Sequence, residues 1–501
     1  MKTIEELKKV IDRRKWTVAS TPAHLMTCHP WVAGFVRMRR VYRHSCTDMW
    51  LIIKDAIGCQ AFDERENYEN VKQLYDDPER TREIHAAWQE ERAAFLAKSQ
   101  QRSRGLDSLD NATLGRDFSE FLEACTKTWE SSAAIDNMGI YTEGHLLKEF
   151  TDAIPASEKP HAHEFFAAIS QPSDCSYIMR EHSSLLSIAL TMKQNGEAAA
   201  EEALAAHQRE FFWTANSYKD IKVLSLEHFR ALAREEAKMS VSELASALAD
   251  LEALPVRIEG ERERLLDKFR LSASLEKKMR LTPVIGAWLD ERKEVTVRGN
   301  HYLTLYLREI GKHCGYSLEQ MYYFTPPEIA RLLSDGARVP KEELASRRHR
   351  MVYVVSQLAD SAGSPQEEVT LLSGNDADDL TGYFEQATGT TSAAKTVKGV
   401  VASRGQGGKI KGKVQVILDP EGATFEQGNV LVSTMTRAEY VPFMKKAAAI
   451  ITDEGGITCH AAVVSRELRK PCIIGTKHAS KAFKDGDMVE LNLTQGTVTG
   501  L

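Results

Sequence analysis

A histidine preceded by glycines and small polar residues is the side chain of this sequence best suited to covalent chemistry. His460 follows Gly455, Gly456, Thr458 and Cys459 in the stretch AIITDEGGITCHAAVVSRELRKPCIIGT, which runs from residue 449 to residue 476. Neutral imidazole is nucleophilic near pH 7, because its ordinary pKa is about 6.5. A histidine that attacks phosphorus and then holds the phosphoryl group also needs hydrogen-bond donors for the phosphoryl oxygens.

The pattern around His460 predicts a βαβ unit. Apolar residues 449–451 indicate a buried strand, two glycines allow a tight turn, and Thr458 is a suitable N-cap for a helix that ends before Pro471. Cys472 to Gly475 then forms the next strand. Spare backbone N–H groups and the dipole at such a helix start favour an anion. These residues alone leave a purely structural first-turn histidine open.

The fold class that the whole sequence predicts is multidomain, with a large, mainly α-helical N-terminal domain and a C-terminal α/β domain. Residues 1–345 have helical patterns, and residues 346–385 indicate a β-hairpin and the edge of the helical domain. We predict a flexible linker at residues 386–396 and the α/β domain at residues 397–501. Strands are also predicted at residues 16–19 and 32–42, and a break at Pro255 between two helices.

In residues 397–501, short apolar runs separated by glycines predict alternating strands and helices. The predicted strands are 399–402, 412–418, 429–433, 448–452, 472–475, 488–492 and 496–499, and the predicted helices are 440–446, 460–468 and 479–483.

Composition excludes several classes of function. A net charge of −6 gives no reason to expect nucleic acid or an anionic membrane as a partner. No C-x-x-C pair is present, and His161 with His163 lacks a nearby third ligand, so we predict no metal site. No apolar run is long enough to span a bilayer, and we expect a cytoplasmic protein.

The stretch at residues 452–475 closely resembles the phosphohistidine signature of phosphoenolpyruvate-utilising enzymes, a family that includes phosphoenolpyruvate synthase and pyruvate phosphate dikinase. The later Asp485-Gly486-Asp487 turn resembles the family as well, whereas Ile457 replaces an arginine of several members. The resemblance implies a swivelling domain with His460 as the phosphohistidine. It also implies a supporting role for the residues that match the signature around it, which are Thr458, Cys459, Gly455, Gly456, Thr452 and Arg466.

The helical region is similar, more loosely, to the acceptor-binding domain of rifampicin phosphotransferase, and nothing in the chain resembles an ATP-grasp domain. This implies a separate ATP-grasp subunit, as in phenylphosphate synthase. Mg²⁺ and ATP are then expected on that partner domain or subunit, and no cofactor is expected on this chain. A small acceptor molecule would bind the helical domain, with His301, His145 or Asp290 as a base and Arg292 and Arg298 for phosphate charge.

Three functions remain open from the sequence. The first is a phosphotransferase component of the phosphoenolpyruvate synthase kind, which carries phosphate on His460 from the partner to the acceptor. The second is a phosphocarrier or regulatory protein without acceptor chemistry of its own, and the third is a swivelling domain that is never phosphorylated. The sequence names neither the acceptor, nor the catalytic base, nor the ultimate donor (ATP or phosphoenolpyruvate), nor the oligomeric state.

Overall fold

The computed structural model describes most of the 501 residues. The described residues are 3–13, 15–19, 24–38, 41–42, 49–53, 57–62, 64–174, 176–219, 221–359, 365–388, 396–405, 407–418, 420, 423–436, 440–453, 455, 459–476 and 478–501. Most of the predicted linker, residues 389–395, lies outside them, as do Gly456 and Thr458.

Helices dominate the first three quarters of the chain, and strands cluster near its end. The helices are α1 (Ile4–Arg13), α2 (Leu25–Arg37), α3 (Glu64–Asp76), α4 (Pro78–Arg102), α5 (Asn111–Ser132), α6 (Ala134–Tyr141), α7 (Leu147–Ala153), α8 (Ala162–Ser170), α9 (Tyr177–Asn195), α10 (Glu201–Phe211), α11 (Leu226–Glu236), α12 (Val241–Phe269), α13 (Ala273–Met279), α14 (Thr282–Cys314), α15 (Leu318–Met321), α16 (Pro326–Ser334), α17 (Lys341–Arg347), α18 (Asn375–Thr388), α19 (Val441–Lys446), α20 (His460–Glu467) and α21 (Ala479–Ala482). The strands are β1 (Lys15–Ala19), β2 (Met49–Ile53), β3 (Ile57–Phe62), β4 (Met351–Ala359), β5 (Pro365–Ser373), β6 (Thr396–Lys398), β7 (Val400–Ser403), β8 (Lys409–Val416), β9 (Val430–Ser433), β10 (Ala449–Thr452), β11 (Cys472–Ile474), β12 (Met488–Asn492) and β13 (Thr497–Gly500).

The chain divides into two compact units, each built from three segments. Unit 1 comprises residues 1–138, 191–236 and 291–391, and unit 2 comprises residues 139–190, 237–290 and 392–501. The helical residues before 345 therefore contribute to both units.

Unit 1 contains an antiparallel sheet of five strands in the order β1-β3-β2-β4-β5. The predicted hairpin is confirmed, since β4 and β5 pair from Met351 opposite Ser373 to Ala359 opposite Pro365. The predicted strand at 16–19 is confirmed as part of β1. Apolar residues of α1 and α18, including Leu7, Ile11 and Leu380, pack on β2 and β4 as one core.

Two predictions in the helical region were wrong. Residues 32–37, predicted as strand, lie in α2, where every residue from Leu25 to Arg37 is buried. Such a helix has no polar face and therefore no helical period in its hydrophobicity. The break predicted at Pro255 is absent, because Pro255 lies inside the continuous helix α12.

Unit 2 contains an eight-stranded sheet in the order β6-β13-β12-β8-β9-β10-β11-β7. Strands β8, β9, β10 and β11 run parallel, and the remaining pairs are antiparallel. Each predicted strand and helix of residues 397–501 is found within a few residues of its predicted bounds. One apolar core, with Val432, Ile451 and Leu491, and a second, with Ile450, Ala462 and Ile474, contain the buried residues of this domain.

None of the helices in the described part of the chain combines the length and the apolar character that a bilayer crossing requires.

Candidate functional site

The predicted βαβ unit is confirmed: β10 leads through a loop into α20, and β11 returns parallel to β10. β10 lies between β9 and β11, and all four of its residues are buried. Alternate residues of the strand enter opposite cores, Ile451 into one and Ile450 into the other. The carboxyl end of a central strand is where an α/β sheet presents its functional loops, and this loop precedes His460.

The start of this loop is anchored by buried hydrogen bonds. The Thr452 carbonyl accepts from the Thr476 N–H at 3.0 Å and lies 2.9 Å from the Thr476 hydroxyl. Asp453 is only 3% exposed, and its carboxylate accepts from the Ser480 N–H at 2.9 Å and from the Ser480 hydroxyl. Its own N–H donates to Ser433 at 3.0 Å. These bonds hold the segment after β10 against β9 and α21.

Gly455 and Cys459 approach each other closely in the same loop. Gly455 has φ +117°, and a Cβ atom built on it would lie 2.6 Å from the Cys459 sulfur. Cys459 is half-buried and packs on the core that contains Ile450 and Ala462. Two predicted members of the site are therefore neighbours, and the pair requires a residue without a side chain at position 455.

The N-cap of α20 is Cys459, with φ −69° and ψ 163°, one residue after the predicted cap Thr458. His460 is consequently the first residue of the helix, and its backbone belongs to the first turn. N–H groups of a first turn have no partner within the helix and point toward an anion placed at its start. Buried Ala461 and Ala462 fix the helix on the core.

Arg466, predicted to support phosphate, lies near the opposite end of α20. It follows His460 by six positions, which corresponds to about 9 Å along a helix axis. Its Nε donates to the Ala462 carbonyl at 2.9 Å, and its side chain lines a cavity together with α8 and α12. The structure thus brings Thr452, Gly455, Cys459 and the backbone of His460 together at one end of the helix and places Arg466 at the other.

The other cysteine of this region, Cys472 on β11, does not resemble a nucleophile. Its side chain is fully buried, and this burial raises the pKa of its thiol to about 12. Among the described residues, no group of three or more His, Cys, Asp and Glu side chains could hold a metal ion.

The five predicted acceptor-site residues are divided between the units. His145 and Asp290 belong to unit 2: His145 is exposed beside Tyr141, and Asp290 accepts from the Tyr177 N–H at 3.3 Å. Arg292, Arg298 and His301 belong to unit 1 and follow one another along α14.

Within unit 1, Arg292 is engaged by protein groups. Its guanidinium is 5% exposed, forms two hydrogen bonds to Asp136 at 2.6 and 3.0 Å, and lies 4.6 Å from the ring centroid of Trp129. The arginine is buried and its carboxylate partner is 39% exposed, so Arg292 is a fixed structural charge. Its Nε atom nevertheless has no hydrogen-bond partner.

Arg298 and His301 lie beside two aromatic residues that follow α10, Trp213 and Phe212. Arg298 donates to Glu294 at 2.9 Å and lies 5.6 Å from the ring centroid of Trp213. His301 meets Phe212 edge-on at 4.8 Å between ring centroids. Burial, with the charges of Arg308 and Arg298, lowers the pKa of His301 to about 4. His301 is therefore neutral at pH 7 but only weakly basic, because a pKa this far below 7 disfavours its protonated form.

A stripe of buried polar residues on α14 was missed by the sequence analysis. Arg292, Thr296, Asn300 and Thr304 recur every four residues and are 3–5% exposed. The Thr304 hydroxyl lies 2.9 Å from the Tyr322 hydroxyl, and Asn300 Nδ2 has no hydrogen-bond partner. Buried amide donors are nearly always paired, so an orphaned one marks a place for a ligand or water oxygen. In sequence, a polar stripe at helical spacing indicates a solvent-facing surface instead.

His460 is thus the first residue of a helix that follows a central parallel strand and a loop containing Gly455. Residues 425–496 match the family "PEP-utilising enzyme, mobile domain". The C-terminal part of this chain is therefore a mobile domain of the phosphoenolpyruvate-utilising enzymes.

Several relatives of this chain are named as phosphoenolpyruvate synthases or probable phosphoenolpyruvate synthases. The chain is 38% identical over 190 residues to a probable phosphoenolpyruvate synthase of Archaeoglobus fulgidus, a match that covers 34% of this chain and 23% of that protein. It is 49% identical over 115 residues to the phosphoenolpyruvate synthase of Pyrococcus furiosus, with 23% and 14% covered. The Escherichia coli enzyme is 45% identical over 86 residues, with 17% and 11% covered. The matches thus span about a quarter or less of each relative's length.

Proposed function

We propose that this protein is a phosphotransferase component that carries a phosphoryl group on His460. The observation that carries the proposal is the position of His460 as the first residue of α20, inside the segment that matches the mobile-domain family. A phosphoryl group on this residue would lie beside the N–H groups of the first turn, which stabilise negative charge.

The proposed chemistry has two displacement steps. An imidazole nitrogen of His460 attacks the donor phosphorus, a P–N bond forms, and the P–O bond to the leaving group breaks with its electron pair on oxygen. An acceptor hydroxyl oxygen then attacks the phosphorus, the P–N bond breaks, and the hydroxyl proton passes to a base. We propose ATP on a separate ATP-grasp subunit as the first donor, with Mg²⁺ bound on that subunit.

For the acceptor, we propose a small hydroxyl compound bound in the helical region near α14. Support comes from the orphaned Nδ2 of Asn300, which would donate to an acceptor oxygen, with the partly buried imidazole of His301 next to it in the sequence. The match to the Archaeoglobus protein extends over 190 residues, more than the 105 of the predicted mobile domain, so it includes residues before 397.

The test of the first step is acid-labile labelling. The purified chain is incubated with ATP labelled on its β- and γ-phosphates in separate samples, Mg²⁺ and a co-expressed ATP-grasp partner, and separately with labelled phosphoenolpyruvate and Mg²⁺ alone. We expect label that is stable to base, is lost in acid, and is absent from His460→Ala.

His478→Ala is the matched control, because His478 is an exposed histidine of the same domain at the start of α21. It should label like the wild type. Label that survives His460→Ala would contradict the proposal. Label that reaches only another protein, and no small molecule, would favour a phosphocarrier instead.

A further inference from the structure

A cavity of about 250 Å³ lies within unit 2, between the mobile domain and two helices of the same unit. α12 lines one side with Leu254, Arg257, Ile258 and Glu261, and Arg466 of α20 lines the other. Pockets for drug-sized ligands measure about 300 to 1,000 Å³, so this cavity suits a smaller molecule.

The charges around the cavity favour an anion. Its lining holds the guanidinium groups of Arg257 and Arg466 and the carboxylate of Glu261. That carboxylate is already bound by Arg264 through two hydrogen bonds of 2.6 and 2.7 Å, and this pairing lowers the pKa of Glu261. The lining therefore carries two guanidinium groups, and its single carboxylate is compensated by Arg264, which is not part of the lining.

The rest of the wall is partly apolar. Leu254 and Ile258 lie one turn apart on α12, and Ile258 is 9% exposed. Contact between such an apolar surface and a hydrocarbon group removes both from water and stabilises the complex, and inorganic ions have no hydrocarbon group. The cavity consequently offers two different contacts, one for a charged head and one for a short apolar body.

The wall formed by α8 and α12 is held by a buried arginine. Arg262 is 6% exposed, and its guanidinium donates to the Ile169 carbonyl at 2.9 Å and to the Gln171 carbonyl at 2.5 Å. These bonds fix α12 to the C-terminal end of α8. A wall that is fixed before binding loses little entropy when a ligand arrives.

We propose that this cavity binds a small organic anion, with a phosphate or carboxylate head between Arg257 and Arg466 and an apolar body on Leu254 and Ile258. Because Arg466 belongs to the mobile domain and Arg257 to α12, the bound anion joins the two and stabilises their arrangement. The site is at the opposite end of α20 from His460, and it does not depend on phosphoryl transfer.

The test is titration calorimetry on the full chain with n-butyl phosphate, butyrate, inorganic phosphate and n-butanol. We expect saturable binding of n-butyl phosphate or butyrate in the millimolar range, with the tighter of the two identifying the head group. Inorganic phosphate should bind several-fold more weakly, because it lacks the apolar body. Butanol should not bind.

Arg257→Gln should weaken binding of the anions by about tenfold or more, since a charge-assisted hydrogen bond is lost. Arg257→Glu should abolish it. Lys277→Gln is the matched control, because it removes one exposed positive charge from α13 of the same unit, away from the cavity, and it should bind like the wild type.

Hydrogen exchange gives the second readout. Amides of α8 and α20 should exchange more slowly when n-butyl phosphate is present, and Arg257→Gln should remove this protection. Absence of saturable binding to the folded wild type, or binding that Arg257→Gln leaves unchanged, would overturn the proposal, as would binding without protection of either helix.

Discussion

Position 455 requires a glycine for two reasons, its backbone conformation and the space around it. Its φ of +117° lies where L-residues are strained, and a side chain there would collide with the Cys459 sulfur at 2.6 Å. Gly428, in the same domain, has φ +87°, but a Cβ atom added there would meet no other atom within 4 Å. A side chain at Gly428 would therefore cause backbone strain alone, whereas a side chain at Gly455 would cause both strain and a steric collision.

We expect Gly455→Ala to lower the free energy of unfolding by about 2 to 4 kcal/mol, because strain and collision add. Gly428→Ala should lower it by about 1 kcal/mol through strain alone. Urea unfolding of both variants, followed by circular dichroism, measures the difference. Gly455→Ala should also reduce labelling of His460, because Cys459 caps α20. Equal losses of stability in the two variants would disprove the steric argument.

At the scale of elements, α12 shows how a proline can be accommodated. The helix continues through Pro255 for 29 residues in all, with Ser240 and Glu243 forming a capping box at its start. Proline supplies no N–H to the carbonyl four residues earlier and crowds that turn. Leu254 precedes this proline directly, Ile258 follows it by three residues, and both line the cavity proposed to bind an anion, so the proline lies beside a proposed binding surface.

Pro255→Ala should raise the stability of the chain by about 1 kcal/mol or more, because alanine restores the missing hydrogen bond. Ala249→Pro, at an exposed position of the same helix, should lower it by about 3 kcal/mol. Urea unfolding of both variants provides the comparison. A loss of stability in Pro255→Ala would show that the helix requires the proline geometry.

The sequence predicted the strands of the mobile domain well, because short apolar runs such as residues 448–452 are bounded by glycine and charge. It failed for α2, which is buried on all sides and so lacks a polar face. It also failed to identify Asn300 and Thr304, since their burial depends on contacts with distant elements such as Tyr322. Local pattern therefore predicted the surroundings of His460, whereas the buried polar stripe required the tertiary structure.

At the scale of the molecule, the two units differ in how the chain builds them. The chain passes from one unit to the other five times, at residues 138/139, 190/191, 236/237, 290/291 and 391/392. The last segment is different from the others, because both of its cores consist of residues between 397 and 498. It contains the complete eight-stranded sheet.

We expect residues 392–501, expressed alone, to fold cooperatively, because a domain of about this size buries enough apolar surface for stability. A single sharp thermal transition and dispersed amide resonances would demonstrate it. Residues 139–290, expressed alone, are the comparison, because unit 2 takes only parts of that segment and its α9 continues into unit 1. They should melt broadly. A broad transition for 392–501 would contradict the expectation.

The order of strands in that sheet places the start of α20 far from the edge at which the chain enters the mobile domain. The chain enters at the edge strand β6, whereas the strand that leads to His460, β10, lies five positions across the sheet. Neighbouring strands lie about 4.8 Å apart, so the distance from β6 to β10 across the sheet is about 24 Å. A turn through about 60° at the entry edge would carry the start of α20 through a chord of about 24 Å. If the domain turns about this edge, as the proposed phosphoryl transfer requires, the start of α20 moves farther than β13 or β12, which lie nearer the axis.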